Sequence, residues 1–139
     1  MDDILLNKAA IIERCLKRLD SLYPGHEHEL ENNFDRQDAI LLNLQRACES
    51  SIDAGMHLVR IRKLGIPQQS KDAFVLLEKA NILDPLLSRQ MQAMVGFRNI
   101  AVHEYQSLDM QILRSILEYR LGDFQAFSSL LIEIARTEN

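Results

Sequence analysis

Between residues 35 and 63 apolar side chains return at helical spacing without interruption. Ile40, Leu41, Leu44, Ala47, Cys48, Ile52, Met56, Val59 and Ile61 hold one stripe for roughly eight turns of 3.6 residues. No β-strand runs that far, since strands rarely exceed about ten residues. A rod of this length must be covered by other elements of similar length, so the rest of the chain is expected to be helical as well. The composition agrees. The 139 residues include only 5 glycines and 3 prolines, and Leu, Ala, Glu, Gln, Arg and Lys dominate.

Four further helical segments follow from period and punctuation. The first spans Asp3 to Leu22, with Ile4, Leu5, Ile11, Ile12, Cys15, Leu16 and Leu19 as its stripe, and Tyr23-Pro24-Gly25 stops it. Residues 25–33 are polar and acidic and read as a loop. Leu64-Gly65-Ile66-Pro67 ends the long second helix. A short third helix over 70–80 carries Phe74, Leu77 and Ala80 inward, with Ser70 as its N-cap. Asp84-Pro85 opens a fourth that runs into the segment containing Arg98. Ser107 or Asp109 opens a fifth that continues nearly to the C-terminus, with Gly122 as the place for a bend. The expected architecture is all-α: an up-and-down bundle of four long helices and one short one, forming a single domain over 1–139.

Charge and cysteine usage narrow the function classes. The net charge of −4 argues against a protein that coats nucleic acid indiscriminately. Residues 35–103 nevertheless carry 9 basic and 7 acidic groups, while both flanks are acidic, which leaves room for a local anion site. Cys15 and Cys48 form no CxxC pair and are expected to be reduced and buried. No apolar run approaches the ~20 residues of a membrane helix. Met1-Asp2-Asp3 also lacks the positive charge of a signal peptide, so a cytoplasmic protein is expected.

Most chemical signatures are missing. There is no glycine-rich phosphate loop, nucleophile elbow or HExxH. His26 and His28 sit among acids in the first loop without a third ligand at useful spacing, so a solvated turn explains them better than a metal. His57 lies four residues after Asp53, and a surface ion pair accounts for it.

The segment Gly96-Phe97-Arg98-Asn99-Ile100-Ala101-Val102-His103-Glu104-Tyr105 is different. On a continuous helix Arg98 and Tyr105 fall about 20° apart and share a face, while Asn99 and His103 form an i, i+4 pair in which the amide orients the imidazole. Arg98 and His103 lie roughly 140° apart, too far to converge within one regular helix. Either the helix distorts near His103, or two chains each contribute a copy of the segment. A helix end with an interfacial arginine and a capping histidine fits the same residues.

The pattern Arg98-Asn99, three residues, His103-Glu104-Tyr105 resembles the signature of the HEPN superfamily of RNA-cleaving helical domains. Its histidine-x-tyrosine ending resembles more narrowly the HepT toxins. Asp38 to Leu44, Ile66-Pro67 with Ser70 to Leu77, and Met94 to Phe97 are also similar to that subfamily, so the likeness covers residues from about 35 to 125. The resemblance implies a ribonuclease toxin acting as a homodimer, with both motifs lining one cleft. It implies RNA as substrate, no metal or other cofactor, and neutralisation by a minimal nucleotidyltransferase antitoxin that transfers AMP to Tyr105. Arg98 and His103 are then the catalytic pair, with Asn99 fixing the imidazole or touching phosphate. Two other classes stay open on the residues alone: a non-catalytic subunit presenting substrate or nucleotide to a nucleotidyltransferase, and a plain helical scaffold. Against the modification of Tyr105 stands a plainer role, in which its ring merely closes the helix against the core.

Overall fold

The computed structural model describes residues 1–137 as six α-helices and two short 3-10 turns. Helix α1 (Asp3–Leu22) begins as its sequence requires, with the Asp2 carboxylate accepting the Leu5 amide at 3.0 Å. Leu5, Ala9, Ile12, Cys15 and Leu19 are its buried face. Pro24 then bars continuation, and Gly25 turns the chain at φ +85°. The polar loop holds a 3-10 turn, Glu27–Glu29, and is pinned by the fully buried Leu30.

Helix α2 (Phe34–Ile61) starts with Asn33 capping the Arg36 amide at 3.1 Å. Its buried set extends well beyond one stripe and includes Gln37, Asn43, Ser50, Ser51 and His57. The reason is position: α1, α4 (Pro85–His103), α3 (Asp72–Lys79) and α6 (Leu121–Thr137) all pack against it. Gly55 is where α3 comes closest. A Cβ there would lie 3.3 Å from that of Ala73, so a side chain would require α3 to give by a few tenths of an ångström. Phe74 of α3 meets Phe127 of α6 edge to face, with ring centroids 5.6 Å apart, and both are fully buried.

The bundle is as the sequence predicts, with three local corrections. Ser70 does not cap α3; Asp72 organises the turn instead by accepting the amides of Gln68 and Gln69 at 2.9 and 3.1 Å. Asp84 and Pro85 do open α4. The fifth predicted helix is two, α5 (Met110–Tyr119) and α6, opened by Asp109 and broken at Arg120 rather than bent at Gly122. The break lets the apolar faces of the two segments turn independently toward the core.

His57 also departs from the expected surface pair with Asp53, which bonds Lys8 instead at 3.3 Å. The His57 ring is buried, with Nε2 2.8 Å from Asp2 Oδ2 and Nδ1 3.2 Å from Arg60 Nη2. A guanidinium only donates, so Nδ1 accepts and Nε2 carries the hydrogen given to Asp2. Asp2 thus caps α1, holds α2 through His57, and donates its amide to Ala135 of α6 at 3.0 Å. Burial opposes its ionisation, but the Leu5 amide and the His57 ring outweigh that and hold the carboxyl below its ordinary 3.8.

A carboxyl held low stabilises the fold above its unfolded value and loses that contribution as pH falls through the folded one. Asp2→Ala should therefore cost about 1–2 kcal/mol in urea denaturation at neutral pH. The gap between variant and wild type should close only as pH drops below 3.8.

Candidate active site

Helix α4 is anchored by Met91, Met94, Val95 and Phe97, which face the core, while Gly96 looks outward, and a methyl group added there would meet nothing within 4 Å. That leaves two hollows flanking the Gly96 ridge. One is largely apolar, between α4 and the start of α5, with Phe97, Ile100, Leu108 and Ile112 in its wall. The other is polar and is lined by Gln69, Ser70, Lys71, Gln92, Arg98 and Asn99.

Arg98 follows the buried Phe97 and crosses from α4 toward α2. Its Nη1 donates to Glu49 Oε1 at 2.5 Å and its Nη2 to Ser70 Oγ at 3.4 Å, while Nε is buried without a partner. A charge-assisted bond from the α2 side fixes the planar guanidinium, which helps line the polar hollow. Beneath it, the Cys48 thiol lies 3.7 Å from the Met94 carbonyl. Burial pushes this thiol up to about 12, overriding the opposing effect of Arg98, so it is no nucleophile.

Helix α4 stays regular through His103. The 140° between Arg98 and His103 is therefore real: Arg98 is half-buried against α2, and His103 is exposed at the last helical position. Asn99 is exposed too, and among the described residues it makes no hydrogen bond to His103. The i, i+4 spacing brings the two near each other without bonding them.

Tyr105 overturns one geometric expectation. The backbone leaves the helix at Glu104 (φ −135°, ψ 48°), and Tyr105 opens the 3-10 turn Tyr105–Ser107, so it does not share a helix face with Arg98. Neither does it close the helix against the core, for it is 46% exposed. Its hydroxyl donates toward two acceptors on α2, Gln37 Oε1 at 2.8 Å and Asp38 Oδ1 at 3.2 Å. Burial and the Asp38 carboxylate raise the phenol above its ordinary 10.0.

Sequence reasoning missed Glu49, Gln37 and Asp38, and read Ser70 only as a cap. A signal was present. Asp38 and Glu49 are eleven residues apart, which places them within about 20° on α2 and roughly 16 Å apart along it. One face of α2 thus presents an acid to each end of the motif segment. The His26 and His28 loop contributes nothing here; His26 pairs with Glu29 at 2.7 Å. Among the described residues no group of three or more His, Cys, Asp or Glu is arranged to hold a metal, and no helix is long and apolar enough to cross a membrane.

Residues 12–131 match the family described as Ribonuclease HepT-like. The chain belongs to the HepT-like family. It is 44% identical to the mRNA nuclease HepT of Shewanella oneidensis over 131 residues, 94% of this chain and 98% of that protein. It is 26% identical to the tRNA nuclease HepT of Aphanizomenon flos-aquae, over 89% of this chain and 84% of that one. Among solved structures, the tri-AMPylated Shewanella oneidensis HEPN toxin in complex with MNT antitoxin superposes with a TM-score of 0.90 at 42% identity, covering 96% of this chain and 99% of that one. A toxin–antitoxin with AMP-PNP superposes with a TM-score of 0.89 at 42% identity, over 94% and 99% of the two chains. The all-helical HEPN-like fold and the membership in this toxin family are thereby established.

The burial of Cys15 and Cys48, both free, yields a direct check on the site's floor. Neither thiol of the folded protein should react with a maleimide over the time that exposes both in urea, as read by intact mass.

Proposed function

We propose that this protein is a metal-independent endoribonuclease toxin in which Arg98 and His103 cut RNA, and that a nucleotidyltransferase antitoxin silences it by placing AMP on Tyr105. The observation that carries the reading is the state of the motif arginine: half-buried and oriented by Glu49, with a polar hollow holding Lys71 beside it. A guanidinium so placed can hold two phosphate oxygens and offset the charge of a phosphorane, typically the largest catalytic contribution.

RNA supplies its own nucleophile, the 2′-hydroxyl. Its attack on phosphorus forms a 2′,3′-cyclic phosphate, breaks the bond to the 5′-oxygen, and needs one group to take a proton and another to give one. His103 is the side chain of the motif suited to proton exchange near neutral pH. Because Arg98 and His103 point apart in one chain, the reading pairs two protomers about a two-fold axis, so that two histidines serve the two proton transfers. The outward ridge at Gly96 leaves the flank of α4 open to a second copy, together with part of α2. Asn99, exposed on the rim, is placed to touch phosphate.

The relatives are named as nucleases of mRNA and tRNA, and the Shewanella toxin is tri-AMPylated in its complex with MNT antitoxin. Transferred to this chain, those properties give it an RNA substrate and an antitoxin partner. Inhibition cannot act by seating a single Tyr105-linked phosphate on the Arg98 of the same protomer, since their anchors on α2 lie roughly 16 Å apart. It acts instead by filling the approach along α2 with negative charge and bulk, and several AMP units extend that effect.

Arg98→Ala and His103→Ala should each abolish cleavage of a labelled RNA with the circular dichroism spectrum intact. Products of the wild type should carry 2′,3′-cyclic phosphates, with activity equal in EDTA and DNA left uncut. Full activity in His103→Ala would remove the histidine from the mechanism, a need for metal would overturn the metal-free reaction, and wild-type protein that leaves RNA intact would transfer support to the non-catalytic subunit reading. Light scattering at assay concentration should give twice the chain mass. An active monomer would contradict the two-protomer site.

A further inference from the structure

The Tyr105 hydroxyl has one proton and two acceptors, both supplied by the first turn and a half of α2. Gln37 is buried, and its amide is fixed in sense because Nε2 donates to the Leu30 carbonyl at 2.9 Å, which leaves Oε1 facing the phenol at 2.8 Å. An amide oxygen can accept this hydrogen bond but cannot keep the proton. Asp38 Oδ1, 3.2 Å away on the solvent side, can do both.

We propose that Asp38 is the general base for the modification of Tyr105, so that the toxin itself supplies the group that activates its acceptor hydroxyl. The inference rests on the reading that Tyr105 is the AMP acceptor. In the step, the phenol oxygen forms a bond to the α-phosphorus of a nucleoside triphosphate delivered by the partner. The bond from that phosphorus to the bridging oxygen breaks, pyrophosphate leaves with the electron pair, and the phenolic proton passes to Asp38 Oδ1. Gln37 is the positioning residue: it holds the hydroxyl in the plane where the carboxylate reaches it.

Three features support this assignment. First, the phenol is reachable, because Tyr105 is 46% exposed while its hydroxyl is fixed against α2. Second, burial and the neighbouring carboxylate keep the phenol protonated at neutral pH, so the proton has to leave during the attack rather than before it. Third, Asp38 is itself exposed and sits roughly 16 Å along α2 from Glu49, away from the Arg98 hollow. Losing its basicity therefore disturbs neither the core nor the RNA-cleaving residues.

The test follows AMP addition by intact mass and peptide mapping, using the full chain, its cognate nucleotidyltransferase and ATP. Wild-type protein should gain AMP on Tyr105. D38N, which keeps an acceptor of the same shape, should gain it about a hundredfold more slowly, within the usual reach of general base catalysis. D38N should still cut RNA at the wild-type rate. Fluorotyrosine at position 105, whose phenol gives up its proton more readily, should restore most of the lost rate in the D38N background. Equal rates for wild type and D38N, or a slow D38N that fluorotyrosine does not rescue, would overturn the role of Asp38 while leaving Tyr105 as the acceptor. Wild-type protein that gains no AMP on Tyr105 would instead remove the reading on which the inference stands.

Discussion

Helix α2 is packed by α1, α3, α4 and α6 at once, and most of what the molecule can do is set by how its 28 residues divide their faces. The sides turned inward favour apolar or internally bonded groups, and Asn43 and Ser51 return their polar groups to the carbonyls of Ala39 and Ala47 one turn earlier, both at 2.8 Å. The strip left over, carrying Asp38 and Glu49, is the surface against which the end of α4 is laid. Each acid meets one polar group of the motif segment, and each meeting fixes a side chain that would otherwise be mobile in water. A bundle whose central helix had only one buried face would have no such strip at a fixed height.

The ion pair at Arg98 has a cost as well as a use. Taking a guanidinium half out of water is unfavourable unless its donors are answered, and here Glu49 and Ser70 answer Nη1 and Nη2 while Nε stays unpaired. Glu49 offsets the charge of the guanidinium itself, and Lys71 adds a positive charge to the lining of the hollow. That suits an acidic protein whose positive charge must act at one place rather than over a whole surface.

The fold was legible in the sequence where local chemistry decides it. Asp84 and Pro85 open α4 as their types dictate, and the stripe on α2 marked that helix nearly to its ends. Legibility failed where a residue had two competing partners. Ser70 lost the capping role to Asp72, whose carboxylate reaches two amides, and became free to meet Arg98. His57 lost Asp53 to a partner 55 residues away, which no helical spacing reveals. The motif residues themselves stood out because arginine, asparagine, histidine and tyrosine are out of place in an apolar helix. Their partners did not, since Gln37, Asp38 and Glu49 are ordinary surface types until the register of α2 against α4 is known. The polar residues around 104–109 were likewise legible only as a helix start, while the non-helical backbone of Glu104 and the reach of Tyr105 to α2 were not.

The exit from α4 at Glu104 separates two kinds of responsibility along a stretch of eight residues. His103 rides on a rigid rod braced by the core, whereas Tyr105 belongs to a short turn tied to α2 through its own hydroxyl. On the proposed function, an AMP on Tyr105 would hang from this turn, and the motif helix beneath it would be the same with the blockade as without.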